Sequence, residues 1–169
     1  MRKPVIAGNW KLYKTGVEAV ELVTTLAPLV SENETVEIIV APVFTVLNDV
    51  RKAIAGSNIM MAGQNCFWEE EGAFTGEISP NMLCDAGCSH VIIGHSERRQ
   101  YFGETDETVN RKIRSALKKG LTVLFCIGET LEERDADKTF VILKRQLSAG
   151  LAGIDKEHLK NIIIAYEPV

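Results

Sequence analysis

Short apolar runs, each stopped at once by a glycine or a polar group, recur along the whole chain. They are Val5-Ile6-Ala7, residues 36–41, 59–62, Val91-Ile92-Ile93, 121–127 and 162–165. Most are continuous and not alternating, the pattern of a strand buried on both faces, as in a parallel sheet. Helical patterns fill the gaps. Thr15-Gly16-Val17-Glu18 reads as a capping box that opens a helix running to about residue 30. Ser79-Pro80 sets a cap and a first-turn proline before Met82 and Leu83, with Gly87 as the stop. Residues 106–119 carry Val109, Ile113, Ala116 and Leu117 on one face, acids in the first turn, lysines in the last, and Gly120 beyond them. Another helical stretch covers about 130–147, although its polar start, Glu132-Glu133-Arg134-Asp135, reads equally well as a solvated loop. Six strands alternating with helices predict an α/β fold with one parallel sheet and right-handed crossovers.

The groups that end the runs are Gly8-Asn9-Trp10-Lys11, Gly63-Gln64-Asn65, Gly94-His95-Ser96-Glu97, Gly128-Glu129 and Tyr166-Glu167-Pro168. In such folds ligands and catalytic groups collect at the C-terminal ends of the strands, so these side chains are expected to converge on one site. Composition narrows what that site can serve. With 19 basic and 23 acidic residues the net charge is −4, and there is no Lys/Arg block, so neither a nucleic acid nor a membrane is an expected partner. No apolar run reaches the roughly 18 residues of a membrane span. Met1-Arg2-Lys3 looks like the start of a secretory signal, but the apolar run after it stops at Asn9 with no cleavage site, which predicts a cytoplasmic protein. Cys66, Cys84, Cys88 and Cys126 form no C-x-x-C pair. Cys84 and Cys88 stand four apart on a predicted helix, yet no histidine or carboxylate pair completes a metal set, so free thiols and no metal are expected.

The strand-end motifs, with Gly72-Ala73-Phe74-Thr75-Gly76-Glu77-Ile78-Ser79, the longer Val91-Ile92-Ile93-Gly94-His95-Ser96-Glu97-Arg98-Arg99, Cys126-Ile127-Gly128-Glu129 and Ala165-Tyr166-Glu167-Pro168-Val169, closely resemble those of the triosephosphate isomerases, in family order from the first residues to the last. The resemblance implies a (β/α)8 TIM barrel that interconverts dihydroxyacetone phosphate and glyceraldehyde 3-phosphate through an enediolate, in glycolysis and gluconeogenesis, with no metal or organic cofactor. It implies Glu167 as catalytic base, His95 as electrophile, and Lys11 with Asn9 as substrate contacts. Thr75, flanked by Phe74 and Gly76, matches the loop that family dimers push into the neighbouring subunit's site, so a homodimer is expected. Ser96, Glu97 and Cys126 match positions near the site. Taken alone, Cys126 also reads as a packed core thiol, Glu97 as one half of an ion pair and Asn9 as a turn residue.

The chemistry is consistent with the residue types. Moving a proton between carbons beside a carbonyl needs a base, and a carboxylate partly stripped of water serves best. Glu167 follows a buried strand. The developing oxyanion needs a donor, and His95 stands where a short helix begins, a place that disfavours imidazolium. Lys11 supplies a fixed positive charge for an anionic substrate. His90 and His158 read as structural residues.

Length runs against completeness, because an eight-stranded barrel takes about 250 residues. The expectation is a truncated barrel domain over residues 1–169, with strands 1 to 6 present and strands 7 and 8 absent. The phosphate-gripping loops after strands 7 and 8 would then be missing, which predicts a chain that alone is weakly active or inactive. The non-enzymatic alternative is a half-barrel that self-associates or complements a separate C-terminal piece. A different sugar-phosphate barrel enzyme would need a motif this sequence does not carry. Residues 161–166 would form an exposed apolar edge, and self-association is expected there and at the Thr75 loop.

Overall fold

The computed structural model describes residues 3–168. Met1 and Arg2 of the basic start and Val169 of the last motif lie outside the described residues. Six strands, β1 (Val5–Asn9), β2 (Glu37–Ala41), β3 (Ile59–Gly63), β4 (His90–Ile93), β5 (Thr122–Ile127) and β6 (Ile162–Tyr166), pair in sequence order. Every pairing is parallel. The helices are α1 (Gly16–Val30), α2 (Leu47–Ala53), α3 (Pro80–Asp85), α4 (Ser96–Tyr101), α5 (Asp106–Lys118), α6 (Leu131–Asp135) and α7 (Thr139–Gly150). The sheet curls into part of a barrel with the helices outside.

Strand alternation divides the core in two. Residues such as Val40, Met61, Val91, Ile93, Val123 and Phe125 point outward and pack with Val23, Val50, Leu83, Val109 and Ile113 of the helices. Ile39, Ala41, Ala62, Ile92, Leu124 and Cys126 point inward and form a smaller second cluster. Burial of both faces explains the continuous runs of β2 to β5. β1 and β6, at the two edges, are half-buried or exposed throughout, so the strand before Glu167 is not the buried one its apolar run predicts.

Helix ends follow local chemistry. The Glu18 carboxylate accepts from the Thr15 N–H at 2.7 Å and the Thr15 hydroxyl at 2.9 Å, closing the start of α1. The Ser79 hydroxyl accepts the Met82 N–H at 3.3 Å, and Pro80 opens α3. The stretch 130–147 departs from its expectation in being two helices; of the two readings of its polar start, the helical one holds. Thr130 and Glu133 cap one another at 2.9 and 3.2 Å, which makes α6 a self-contained turn. Asp137 then takes a left-handed φ of 56°, which no α-helix accommodates, and α7 starts afresh at Thr139. At the sheet edges, Ile6 of β1 and Ile164 of β6 are exposed.

Candidate active site at the strand ends

Lys11 follows the end of β1 in an unusual backbone state, with φ of 52°. Two side chains hold it there. Asn9 Oδ1 accepts the Lys11 N–H at 3.0 Å, and Gln64 Nε2, just past β3, donates to the carbonyls of Lys11 and Ala41, both at 2.9 Å. Gln64 thus ties the ends of β1, β2 and β3 around a strained residue, an outlier of the kind that gathers at functional sites. The sequence places Gln64 among the strand-end groups but assigns it no role. Its signal was that position alone. The Lys11 ammonium lies 3.0 Å from Glu97 Oε1, and the hydrogen bond and charge of that carboxylate hold it above its ordinary value.

His95 is set by the turn before it. Gly94 has φ of 79°, and a Cβ there would stand 3.0 Å from the Cys126 carbonyl, so β4 can turn this tightly beside β5 only at glycine. His95 caps α4 with its ring: Nδ1 accepts the Glu97 N–H at 3.3 Å. A nitrogen that accepts carries no proton, which leaves the proton on Nε2. The 3.4 Å approach of Glu97 Oε2 to Nδ1 is therefore proximity between two acceptors and no hydrogen bond. Nε2 faces Glu167 Oε2 at 3.6 Å. The ring itself is buried.

Glu167 is fixed through its backbone, whose N–H donates to the Ile127 carbonyl at 2.9 Å. Gly128 makes this possible, since a Cβ at that position would overlap the Glu167 carbonyl. The carboxylate stays exposed, at 57% of its side-chain surface. Below it Cys126 lies in the inward cluster, its thiol pushed up to about 12, chiefly by burial and secondarily by the Glu167 charge. That environment favours a packed thiol. Ser96 is half-buried at the first turn of α4.

Lys11, Glu97, His95 and Glu167 thus form one chain of contacts across the ends of β1, β4 and β6. Phe74, Thr75 and Gly76 stand exposed in a turn closed by Phe74 N–H to Gly72 O and Glu77 N–H to Phe74 O, both at 3.0 Å. Beside Glu167 opens a pocket of about 630 Å³ that reaches Ser96, Gly128, Leu131 and Gln146, but not Lys11 or His95. Glu129, next along the chain from Gly128, is fully buried. Burial works against its ionisation, but Tyr166, Thr139 and Arg134 converge on Oε1 at 3.0 to 3.2 Å and hold the carboxyl below its ordinary value.

A lone imidazole donor, a carboxylate opposite it and one ammonium at the C-terminal ends of parallel strands suit proton transfer on a small anion. Residues 4–169 match the family model described as triosephosphate isomerase. The chain belongs to the triosephosphate isomerase family. It is 68% identical to the triosephosphate isomerase of Geotalea uraniireducens and 69% to that of Geobacter metallireducens, over all of its own length and 67% of theirs. It therefore spans about two thirds of these relatives. The crystal structure of triosephosphate isomerase from Bartonella henselae superposes with a TM-score of 0.93 at 43% identity, covering 99% of this chain and 69% of that one. The six strands are accordingly part of a TIM barrel. Among the described residues no helix is long and apolar enough to cross a membrane.

Proposed function

We propose that this chain carries the proton-transfer groups of a cytoplasmic triosephosphate isomerase, and that the 169 residues by themselves turn substrate over slowly or not at all. The observation that carries the reading is the pairing of His95 Nε2 with Glu167 Oε2 at 3.6 Å. A three-carbon hydroxycarbonyl phosphate set against both, with the exposed Glu167 side chain drawn back to admit it, would present its carbonyl oxygen to Nε2–H and a neighbouring C–H to the carboxylate. Glu167 takes the proton, the electron pair moves into a carbon–carbon double bond, and the enediolate oxygen is met by the His95 donor. Returning the proton to the adjacent carbon, while the hydroxyl proton passes from one enediolate oxygen to the other by way of His95 Nε2, completes the isomerisation with no net change in charge. Lys11 Nζ, held by Glu97, draws in the dianionic substrate, and Asn9 keeps the Lys11 backbone in place.

The expected weakness also has a physical basis. Barrels of this type place their phosphate site in loops after strands seven and eight, whereas this sheet has six strands. Binding energy from the non-reacting phosphate orients the reacting carbons, so without it turnover falls as well as affinity. The test is a triose phosphate turnover assay on the purified chain, alone and mixed with a peptide covering the final third of a relative. We expect little activity alone, recovery on mixing, and none in either case for Glu167→Gln. Full activity of the isolated chain would defeat the claim about the phosphate. A mixture that assembles but stays inactive would favour a non-catalytic half-barrel.

A further inference from the structure

The opposite end of the sheet carries a second cluster of reactive groups. Because Ile39 and Ile92 face the inward cluster, Glu37 and His90, two residues before them on β2 and β4, face the same way at the N-terminal mouth. His90 Nε2 lies 2.9 Å from Glu37 Oε1, and His90 Nδ1 lies 2.8 Å from the Ser89 hydroxyl. The Glu37 carboxylate can only accept, so Nε2 holds the ring proton and Nδ1 is left to accept from the hydroxyl. The imidazole is 3% exposed, whereas Ser89 is open to solvent. Both neighbouring strands fix the serine, whose N–H donates to the Met61 carbonyl at 3.0 Å and whose carbonyl accepts the Thr122 N–H at 2.9 Å. Burial keeps the imidazole in its neutral, basic form, although Glu37 opposes that shift.

We propose that Ser89, His90 and Glu37 form a nucleophilic-serine relay at the N-terminal mouth of the sheet, a modification site for acyl- and phosphonyl-transferring electrophiles. The order of roles is that of a hydroxyl, a base and a carboxylate that orients the base, recognised by geometry and not by chain order. With a fluorophosphonate, the Ser89 Oγ–phosphorus bond forms as the phosphorus–fluorine bond breaks. Fluoride leaves with the bonding pair, the hydroxyl proton passes to His90 Nδ1, and the imidazolium, faced by Glu37, releases it to water. The product is a stable phosphonyl-serine. The site lies at the start of β4 and His95 beyond its other end, so the isomerase groups take no part.

The experiment is labelling of the 169-residue chain with a fluorophosphonate, with adducts located and timed by peptide mass spectrometry. Ser31 is the internal comparison, being exposed with its hydroxyl donating only to the Pro28 carbonyl at 3.1 Å. General-base assistance predicts Ser89 labelling about 100-fold faster than Ser31, falling to the Ser31 rate in His90→Gln. Glu37→Gln, which keeps the ring and its packing, should slow Ser89 severalfold and leave Ser31 unchanged. It also decides the matter if His90→Gln fails to fold. Labelling of Ser89 no faster than Ser31, or a Ser89 rate indifferent to Glu37→Gln, would overturn the relay.

Discussion

Gly128 determines where Glu167 can stand. Any side chain at 128 meets the Glu167 carbonyl, a backbone atom of a residue whose own N–H is tied to the Ile127 carbonyl and which cannot yield cheaply. We expect Gly128→Ala to cost about 1–3 kcal/mol in urea unfolding, as overpacking does, and to abolish whatever turnover the complemented chain shows. An alanine variant of unchanged midpoint and activity would mean that the two strand ends part without consequence. His90 gives a second expectation at this scale. Its folded value lies below the ordinary 6.5 because burial penalises the charged ring. As pH falls through 6.5 the unfolded chain therefore takes up this proton first. The contribution is zero above that range and increasingly destabilising below it, until the folded state is protonated too. Between about pH 8 and about pH 5.5 the native chain should lose more stability than His90→Gln, measured by urea midpoints.

Among the elements, α5 is held by more than its apolar face. Lys112 is 5% exposed, and its ammonium donates to Asn65 Oδ1 at 2.8 Å and to the Glu104 carboxylate, which is itself buried. The network joins the helix to the segment after β3 and to the turn after α4. Lys112→Met leaves the buried Glu104 carboxylate only Arg98 Nε, at 3.8 Å, and should cost about 3–5 kcal/mol, whereas Lys112→Met with Glu104→Gln should recover much of it, a coupling measured by a double-mutant cycle. Nothing in the sequence marks this network. Val109, Ile113, Ala116 and Leu117 define the buried face by their spacing, but spacing does not single out Lys112, because its Asn65 partner lies 47 residues away. The same distinction separates what could be read from what could not. The Thr15–Glu18 cap was legible, since both partners lie within one turn. The central strands were legible because burial on both faces leaves continuous runs, and the gathering of Lys11, His95 and Glu167 at one end of the sheet because each lies just past such a run. Gln64 had the right position but not a readable role, since its acceptors sit 53 and 23 residues off. The break at Asp137 depends on a local left-handed backbone that an aspartate signals only weakly, and α2, with Leu47 and Val50 buried, was too short to announce itself by period.

For the whole molecule, the deciding quantity is the fate of two sheet edges. In the described residues β1 pairs only with β2 and β6 only with β5, leaving unpaired backbone groups beside exposed Ile6, Ile164 and Tyr166. Open apolar edges of this kind template association with further strands. A second sticky feature is the turn bearing Phe74, 43% exposed, and Thr75. The two routes differ in kind: docking of a preformed loop is reversible and saturates at a dimer, whereas edge pairing is open-ended and grows with time and concentration. Sedimentation velocity at micromolar concentration should therefore show a dimer together with slowly growing larger species. Thr75→Asp should remove the first with the second intact, because it places a charge on an exposed side chain of the loop. Ile164→Lys should suppress the second with the first intact, because a lysine on an edge opposes strand addition. A chain that sediments as one stable monomer would show that neither surface associates, and that the six-stranded sheet tolerates its own edges.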